Sequence, residues 1–309
     1  MHVKSAIAEA LERRQPVVAL ESALITHGLS YPANLEIARH MEAVVRKEGA
    51  LPATIAVLDG APQIGLSDDE MSHLARSADH DRAPNAPPRK ISLRDLPAAL
   101  AQGLSGGTTV AATMHLAQRA GIDVFATGGI GGVHRGHPED VSADLTALGS
   151  IPITVVCSGA KAILDLPRTL ERLETEGVPV VGYRTEAFPA FYSRRSGLRA
   201  GVAAASPEDV ARLARARKEL GLPAALLICV PVPESAALPR DEAEEAISLA
   251  TEEAEKAGIR GKDLTPFLLA RIVALTDGRA QRANQALLIN NARVASRIAR
   301  ALTDMGRDA

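Results

Sequence analysis

The sequence predicts an α/β fold in which a largely parallel sheet carries helices on both faces. Short Val/Ile-rich runs alternate with longer helical patterns along most of the chain, the order that builds parallel sheets. Those runs are apolar throughout rather than alternating, as strands covered on both faces are. The last stretch, Arg240 to Thr303, is helical in pattern, which adds a helical carboxy-terminal region. No internal repeat or low-complexity linker divides the chain, so residues 1–309 read as a single domain. A TIM barrel is the competing architecture, but too few clean βα units are visible for it.

Taken in order, a first helix spans about Val3–Arg13, and Pro16–Leu20 is a buried strand. A helix at about Asn34–Glu48 and a strand Thr54–Leu58 follow. Ser67 and Glu70 have the spacing of a capping box and start another helix. Asp79–Arg89, with three prolines, reads as a loop. Gly106-Gly-Thr-Thr-Val110 opens a helix to about Ala120, and Ile122–Thr127 and Ile151–Cys157 are strands. A helix runs from about Lys161 to Glu176, and Val178–Tyr183 and Ala225–Val230 are the last strands. The helical region is broken near Gly258–Gly261 and at Asp277-Gly278.

Composition removes several functions. With 35 Lys and Arg against 37 Asp and Glu the net charge is −2, no footprint for nucleic acid or a charged membrane surface. Aromatic residues are 2% with no Trp, which leaves little for stacking on bases. Cys157 and Cys229 lie in apolar runs and read as buried thiols of a reducing compartment. Met1 to Arg14 contains no signal-like apolar stretch, and no run approaches the ~20 residues of a membrane span. The expectation is a cytoplasmic globular protein.

In open parallel sheets, ligands bind beyond the carboxyl ends of the strands. Four such ends carry unusual residues: Glu21-Ser22, Gly128–Gly132 with His134 and Arg135, Ser158–Lys161, and Arg184–Glu186. Lys161, placed at a helix start, is where the macrodipole disfavours a charged amine, and a neutral lysine is what Schiff-base chemistry needs. The bland alternative is a solvated lysine. Glu21 ends an apolar strand, so desolvation suits it to hold a proton; a capping or ion-paired carboxylate is the other reading. Gly129 and Gly131 could expose amides to a phosphate, helped by His134 and Arg135, or could simply form a tight turn. Gly106-Gly107-Thr108-Thr109 is a weaker anion candidate of the same kind.

His134, His137, Asp140 and Asp144 form a local cluster. It reads as zinc, as manganese or magnesium through Asp140 with Ser142 and Asp144, or as a charged surface loop. Asn284 and Asn291 share a helical face and must find partners if buried, either in a loop or in a ligand.

Together, Val17-Val-Ala-Leu-Glu-Ser22 with Thr26-His-Gly28, Pro52-Ala-Thr-Ile55 and Ala126-Thr-Gly-Gly-Ile-Gly-Gly-Val-His-Arg-Gly136 resemble the pseudouridine-5'-phosphate glycosidase family. Ser142-Ala-Asp-Leu145, Val155-Val-Cys-Ser-Gly-Ala-Lys-Ala-Ile-Leu-Asp165, Thr265-Pro-Phe-Leu-Leu-Ala-Arg271 and Asn290-Asn-Ala292 extend the resemblance over nearly the whole chain. That family includes indigoidine-synthase-A-like proteins.

The resemblance implies a three-layer α/β/α sandwich on a mixed, largely parallel sheet, and a cytoplasmic homotrimer with one manganese ion per subunit. It implies reversible cleavage of the carbon–carbon bond of pseudouridine 5'-phosphate to uracil and ribose 5-phosphate. Lys161 would form the Schiff base, Glu21 would be the proton donor and Asp140 would hold the metal. Substrate contacts would fall on Lys90, Val110, Ser142, Ala143, Asp144 and Asn284. A Schiff-base lyase or aldolase acting on another phosphosugar would keep Lys161 and the glycine loop. A phosphosugar-binding protein would need the loop alone.

Overall fold

The computed structural model describes residues 1–78, 88–259 and 264–307. After β1 (His2–Val3), α1 (Ser5–Glu12) buries Ile7 and Ala10. β2 (Val17–Glu21) is buried except at Glu21 and leads through α2 (Ala23–His27) into α3 (Ala33–Lys47). β3 (Leu51–Leu58) folds back as β4 (Ala61–Ile64). The turn between them is Asp59-Gly60, with φ of 48° and 73°, the left-handed backbone that an Asp-Gly hairpin turn requires. α4 (Asp68–Ser77) starts at the predicted capping box: Ser67 Oγ accepts from Glu70 N–H, and Glu70 accepts from Ser67 N–H.

β5 (Arg89–Ile91), α5 (Leu96–Ala101), β6 (Gly106–Thr108) and α6 (Val110–Arg119) come next. β7 (Val124–Ala126) is followed by the hairpin of β8 (Val133–His134) and β9 (His137–Val141). Then come α7 (Ala143–Ser150), β10 (Thr154–Cys157), α8 (Leu166–Thr175) and β11 (Val180–Tyr183). β12 (Val202–Ala204), α9 (Pro207–Glu219) and β13 (Leu226–Cys229) complete the sheet. α10 (Arg240–Lys256), α11 (Leu264–Leu275) and α12 (Arg279–Arg307) form the helical end of the chain.

Eleven strands form one mixed sheet. Nine run side by side as β1-β4-β3-β2-β7-β10-β13-β11-β12, with β6 pairing both β3 and β5. From β3 across to β12 every pairing is parallel, while β4 and β6 run antiparallel to β3. α12 packs on β2, β7 and β10 and against α3 and α9, while α6, α7 and α8 form a second layer, giving an α/β/α sandwich. The strands between are the core: Val18, Ile55, Phe125, Val155, Val156 and Leu227 are fully buried. Each such side chain contributes about 1.5–3 kcal/mol of burial, which fixes the strand register.

Register decides what meets at the sheet's carboxyl edge. Glu21 lies opposite Ile55, and Ala126 lies opposite both Leu20 and Val156. The ends of β2, β7 and β10 are therefore neighbours.

Two expectations need correction. The helix expected from Lys161 starts only at Leu166, where Asp165 caps it by accepting from Arg168 N–H and Pro167 sits in the first turn. Lys161 is in the loop before it and is not the first residue of that helix. Gly106-Gly107 does not open a helix either, because Gly106–Thr108 is a strand. A Cβ at Gly106 would stand 2.2 Å from Arg89 O, and one at Gly107 would stand 2.3 Å from Thr26 Oγ1. These glycines allow close strand packing. Most of the Asp79–Arg89 loop, residues 79–87, lies outside the described residues. Among the described residues no helix is long and apolar enough to cross a membrane.

Candidate active site

The backbone beyond β7 and β10 is zipped together past the strand ends. Thr127 N–H donates to Val156 O (3.0 Å), Ser158 N–H to Gly128 O (2.8 Å) and Ile130 N–H to Gly159 O (3.1 Å). Lys161 N–H then donates to Ile130 O (3.0 Å), so the main chain of Lys161 is anchored to the glycine run. Gly159 has φ of 81°, and a Cβ there would meet Pro189 O at 2.6 Å, so only glycine fits this turn.

Glu21 reaches the same place from β2, and its carboxylate accepts a hydrogen bond from Thr127 Oγ1. Burial raises the carboxyl pKa above the ordinary range; the positive charge of Lys161, the Thr127 hydroxyl and Lys90 oppose the rise, and Asp144 adds to it. The group thus holds a proton to higher pH than a solvated glutamate.

Lys90 is brought in by β5, whose partner β6 sets Lys90 opposite Gly107. β6 is in turn tied to the residue after Glu21, since Thr108 N–H donates to Ser22 Oγ (2.9 Å) and Thr108 Oγ1 to Ile55 O (2.7 Å). Lys90 stays exposed, yet surrounding protein lowers its ammonium pKa, and the Lys161 charge lowers it further against Asp144 and Glu21.

Asp144 is buried and links two helix starts. Its carboxylate accepts from Ala111 N–H of α6 (3.0 Å) and from Gly131 N–H of the glycine run (2.8 Å). Ser142 caps α7 by accepting from Asp144 N–H (3.2 Å). Val110 and Ala143 are the first residues of α6 and α7, where amides have no helical carbonyl to donate to. The site therefore has two helix amino termini beside Lys90 and Lys161.

The glycine run is itself tightly enclosed. A Cβ at Gly129 would press on the Phe191 ring (2.7 Å) and one at Gly131 on Ser142 Oγ (2.1 Å). With Gly131 N–H given to Asp144 and Ile130 N–H to Gly159 O, the run serves close packing more than it offers amides. Arg135 is also committed. Its guanidinium donates to Ala162 O (3.0 Å) and Leu164 O (3.1 Å), the turn just after Lys161, and pairs with Glu244 of α10 (2.8 Å). The expectation of phosphate donors at Gly131 and Arg135 thus gives way to bracing of the Lys161 loop. Glu244 carried no signal in the sequence, where Asp241–Lys256 reads as a solvated face.

The expected metal cluster does not close. Among the described residues no group of three or more His, Cys, Asp or Glu side chains converges as a metal cage. Asp144 is spent on backbone amides. Cys157 and Cys229 face each other on β10 and β13, and burial pushes the Cys229 thiol well up, away from a zinc thiolate. Asp140 is exposed on β9, and His134 beside it has its pKa lowered by burial and by His137, Lys161 and Lys90, against Asp140. A single carboxylate of this kind fits a hard ion that keeps most of its own water.

Asn284 is half-buried on α12, and Asn291, two turns on, is fully buried against β7 and β10. Arg184-Thr185-Glu186, the fourth strand end singled out by the sequence, is at the end of β11, beyond β13 from the other three. The structure thus brings together Glu21, Lys90, Asp144, Lys161 and His134, which interact electrostatically, and leaves Arg184 apart. Thr127 was not singled out, although its place directly after a strand and before Gly128 was a usable signal.

A carboxyl with a raised pKa beside a lysine amine, with cations and the first turns of two helices adjacent, can form an imine and transfer a proton on an anionic sugar. Known proteins share this chain. The profile of the indigoidine synthase A like protein family matches residues 6–301. A protein of Caldanaerobacter subterraneus subsp. tengcongensis named pseudouridine-5'-phosphate glycosidase is 51% identical over 98% of this chain and 97% of its own. One of the same name from Paracoccus denitrificans is 53% identical over 95% of each chain. The solved structure of prealnumycin C-glycosynthase in complex with ribulose 5-phosphate superimposes with a TM-score of 0.90 and 38% identity, covering 100% of this chain and 98% of that one. An indigoidine synthase A-like protein of Thermotoga maritima gives 0.85 and 38%, over 94% of each chain. Sequence and architecture agree along almost the entire length, and the chain belongs to the indigoidine synthase A-like family.

Proposed function

We propose that the protein reversibly cleaves pseudouridine 5'-phosphate to uracil and ribose 5-phosphate, with Lys161 as nucleophile and Glu21 as proton donor. The observation that supports this most is the adjacency, at one end of the sheet, of Lys161 and Glu21, whose carboxyl pKa is raised by desolvation. Relatives about half identical carry that activity in their names, and a structural relative binds a five-carbon sugar phosphate.

The bond to be broken joins ribose C1' to uracil C5, and a carbon leaving group needs a proton on carbon. The C1'–O4' bond opens with a proton to O4', and Lys161 Nζ bonds to C1'. The C1'–C5 bond then breaks as the nitrogen lone pair closes the imine, and C5 takes a proton for which Glu21 is the donor. Water adds to C1', the C–N bond breaks, and ribose 5-phosphate leaves with the lysine free. The phosphate faces the first turns of α6 and α7, at Val110, Ser142 and Ala143, with Lys90 as its cation. Gly129 and His134 line the approach, and Asn284 is assigned to the substrate from α12.

The same reading gives Asp140 a manganese ion that keeps several waters, where the ion would supply positive charge near the anionic substrate. It also carries a homotrimer, which light scattering on the purified protein tests. The reaction is tested with uracil, ribose 5-phosphate and manganese, products being separated and weighed by mass spectrometry. An acid-stable C-linked nucleotide is expected. Its absence from folded protein would move an imine-forming lyase of another phosphosugar to the front.

A further inference from the structure

Asn291 has no part in that chemistry, yet its side chain touches the ends of both strands that carry it. Thr127 N–H donates to Val156 O, so in a regular parallel ladder Thr127 O would accept from Ser158 N–H. Ser158 N–H donates to Gly128 O instead, and regular pairing resumes only at Ile130 opposite Ala160. The irregular step leaves the buried carbonyl of Thr127 without a strand partner. Asn291 Nδ2 supplies one at 2.9 Å, with Gly128 O at 3.4 Å, and stands 3.1 Å from Ser158 Oγ. A carbonyl oxygen can only accept, and an amide side chain can donate only from its nitrogen, which turns the nitrogen side of Asn291 toward β7. Its oxygen accepts from Ser158 Oγ at 3.3 Å.

We infer that Asn291 is a positioning residue, joining the Thr127 step that holds Glu21 to the Ser158 step that leads to Lys161. Thr127 has two roles at one place: its carbonyl is held by Asn291 and its hydroxyl holds Glu21. Ser158 lies three residues before Lys161, in a turn held by backbone bonds, while Arg135 braces the carbonyls of Ala162 and Leu164 just beyond it. Loss of the amide frees both steps at once, so the acid and the nucleophile lose their common reference. The kinetic side of this inference rests on the proposed reaction, and its structural side does not.

The test reads the titration of Glu21 by infrared difference spectroscopy, taking each protein against its own Glu21→Gln counterpart. Glu21 faces Lys161 from the loop after β10, Lys90 from β5, Asp144 from α7 and the Thr127 hydroxyl. Asn291→Ala is expected to move the titration upward, because a hydroxyl donor to the carboxylate is misplaced. Thr127→Val should move it by the same amount, and the double variant no further. In turnover, Asn291→Ala is expected to lower kcat by about 10–100-fold with KM little changed. Should the alanine variant not fold, Asn291→Ser keeps one donor and gives a smaller shift of the same sign. An unchanged titration in either variant, or shifts that add in the double, overturns the inference. Wild-type protein that makes no C-linked nucleotide, while these shifts are seen, counts against the reaction and upholds the positioning role.

Discussion

The carboxyl edge of the sheet presents charged residues in two places, and they are built differently. Beyond β2, β7 and β10, Glu21 is held by Thr127, Thr127 by Asn291, and Asp144 by the amides of Ala111 and Gly131. Beyond β11, Arg184 donates to Ala205 O and lies over the Tyr183 ring. Glu186 there pairs with Arg199, with side chains 73% and 80% exposed, so water already satisfies both. The first place holds its charges in the protein and raises the proton affinity of Glu21, while the second leaves its charges to solvent. The rule that ligands collect at strand ends selects both places. Desolvation together with a fixed partner is what separates them.

The largest expected effect is at Lys161. Lys161→Ala should abolish turnover while far-ultraviolet circular dichroism and melting show an intact fold, because only the side chain is removed from an anchored loop. Full activity in this variant would remove the imine from the mechanism. Glu21→Gln comes next, with turnover reduced by about 10²–10⁴-fold, the usual contribution of a positioned acid, and imine formation retained. Its pH dependence has a fixed sign. Glu21 has a raised pKa in the folded protein, so the folded state binds the proton more tightly and loses stability as pH rises from the unfolded pKa through the raised one. Glu21→Gln should therefore melt higher than the wild type at neutral pH, and a lower melting temperature would show that the carboxyl is stabilised rather than desolvated.

Asp144→Ala should cost about 1–3 kcal/mol in denaturant unfolding, since it leaves the amides of Ala111 and Gly131 buried and unpaired. A cost near zero would place Asp144 among the solvated charges. The smallest effect is at the second place: Glu186→Ala should change stability by less than about 0.5 kcal/mol and leave turnover unaltered. A strong loss of activity there would erase the distinction between the two places.

The sequence made the buried strands legible, because Val17–Leu20 and Val155–Cys157 are apolar on both faces. It also showed the Ser67 cap and the break at Asp277-Gly278, both of which have local chemical signatures. The short strands β5 and β6, off the main run of the sheet, were not legible. Their few residues have no period, and their place depends on Ser22 and Ile55 far away in the chain. The Asp59-Gly60 hairpin has a local signal in the dipeptide itself, whose residues tolerate the left-handed backbone of the turn. At the site, Glu21 and Lys161 stood out by residue type at a strand end. Arg135 was misleading for a physical reason: a cation beside glycines suits a phosphate, but two backbone carbonyls and Glu244 take its donors in the fold.

The proposed reaction depends most on Lys161 acting as the covalent group. Purified protein incubated with ribose 5-phosphate, reduced with borohydride and digested for mass spectrometry should carry the reduced sugar phosphate on the peptide containing Lys161. Reduction that labels Lys90 instead, or no peptide at all in protein that makes the C-linked nucleotide, would contradict it.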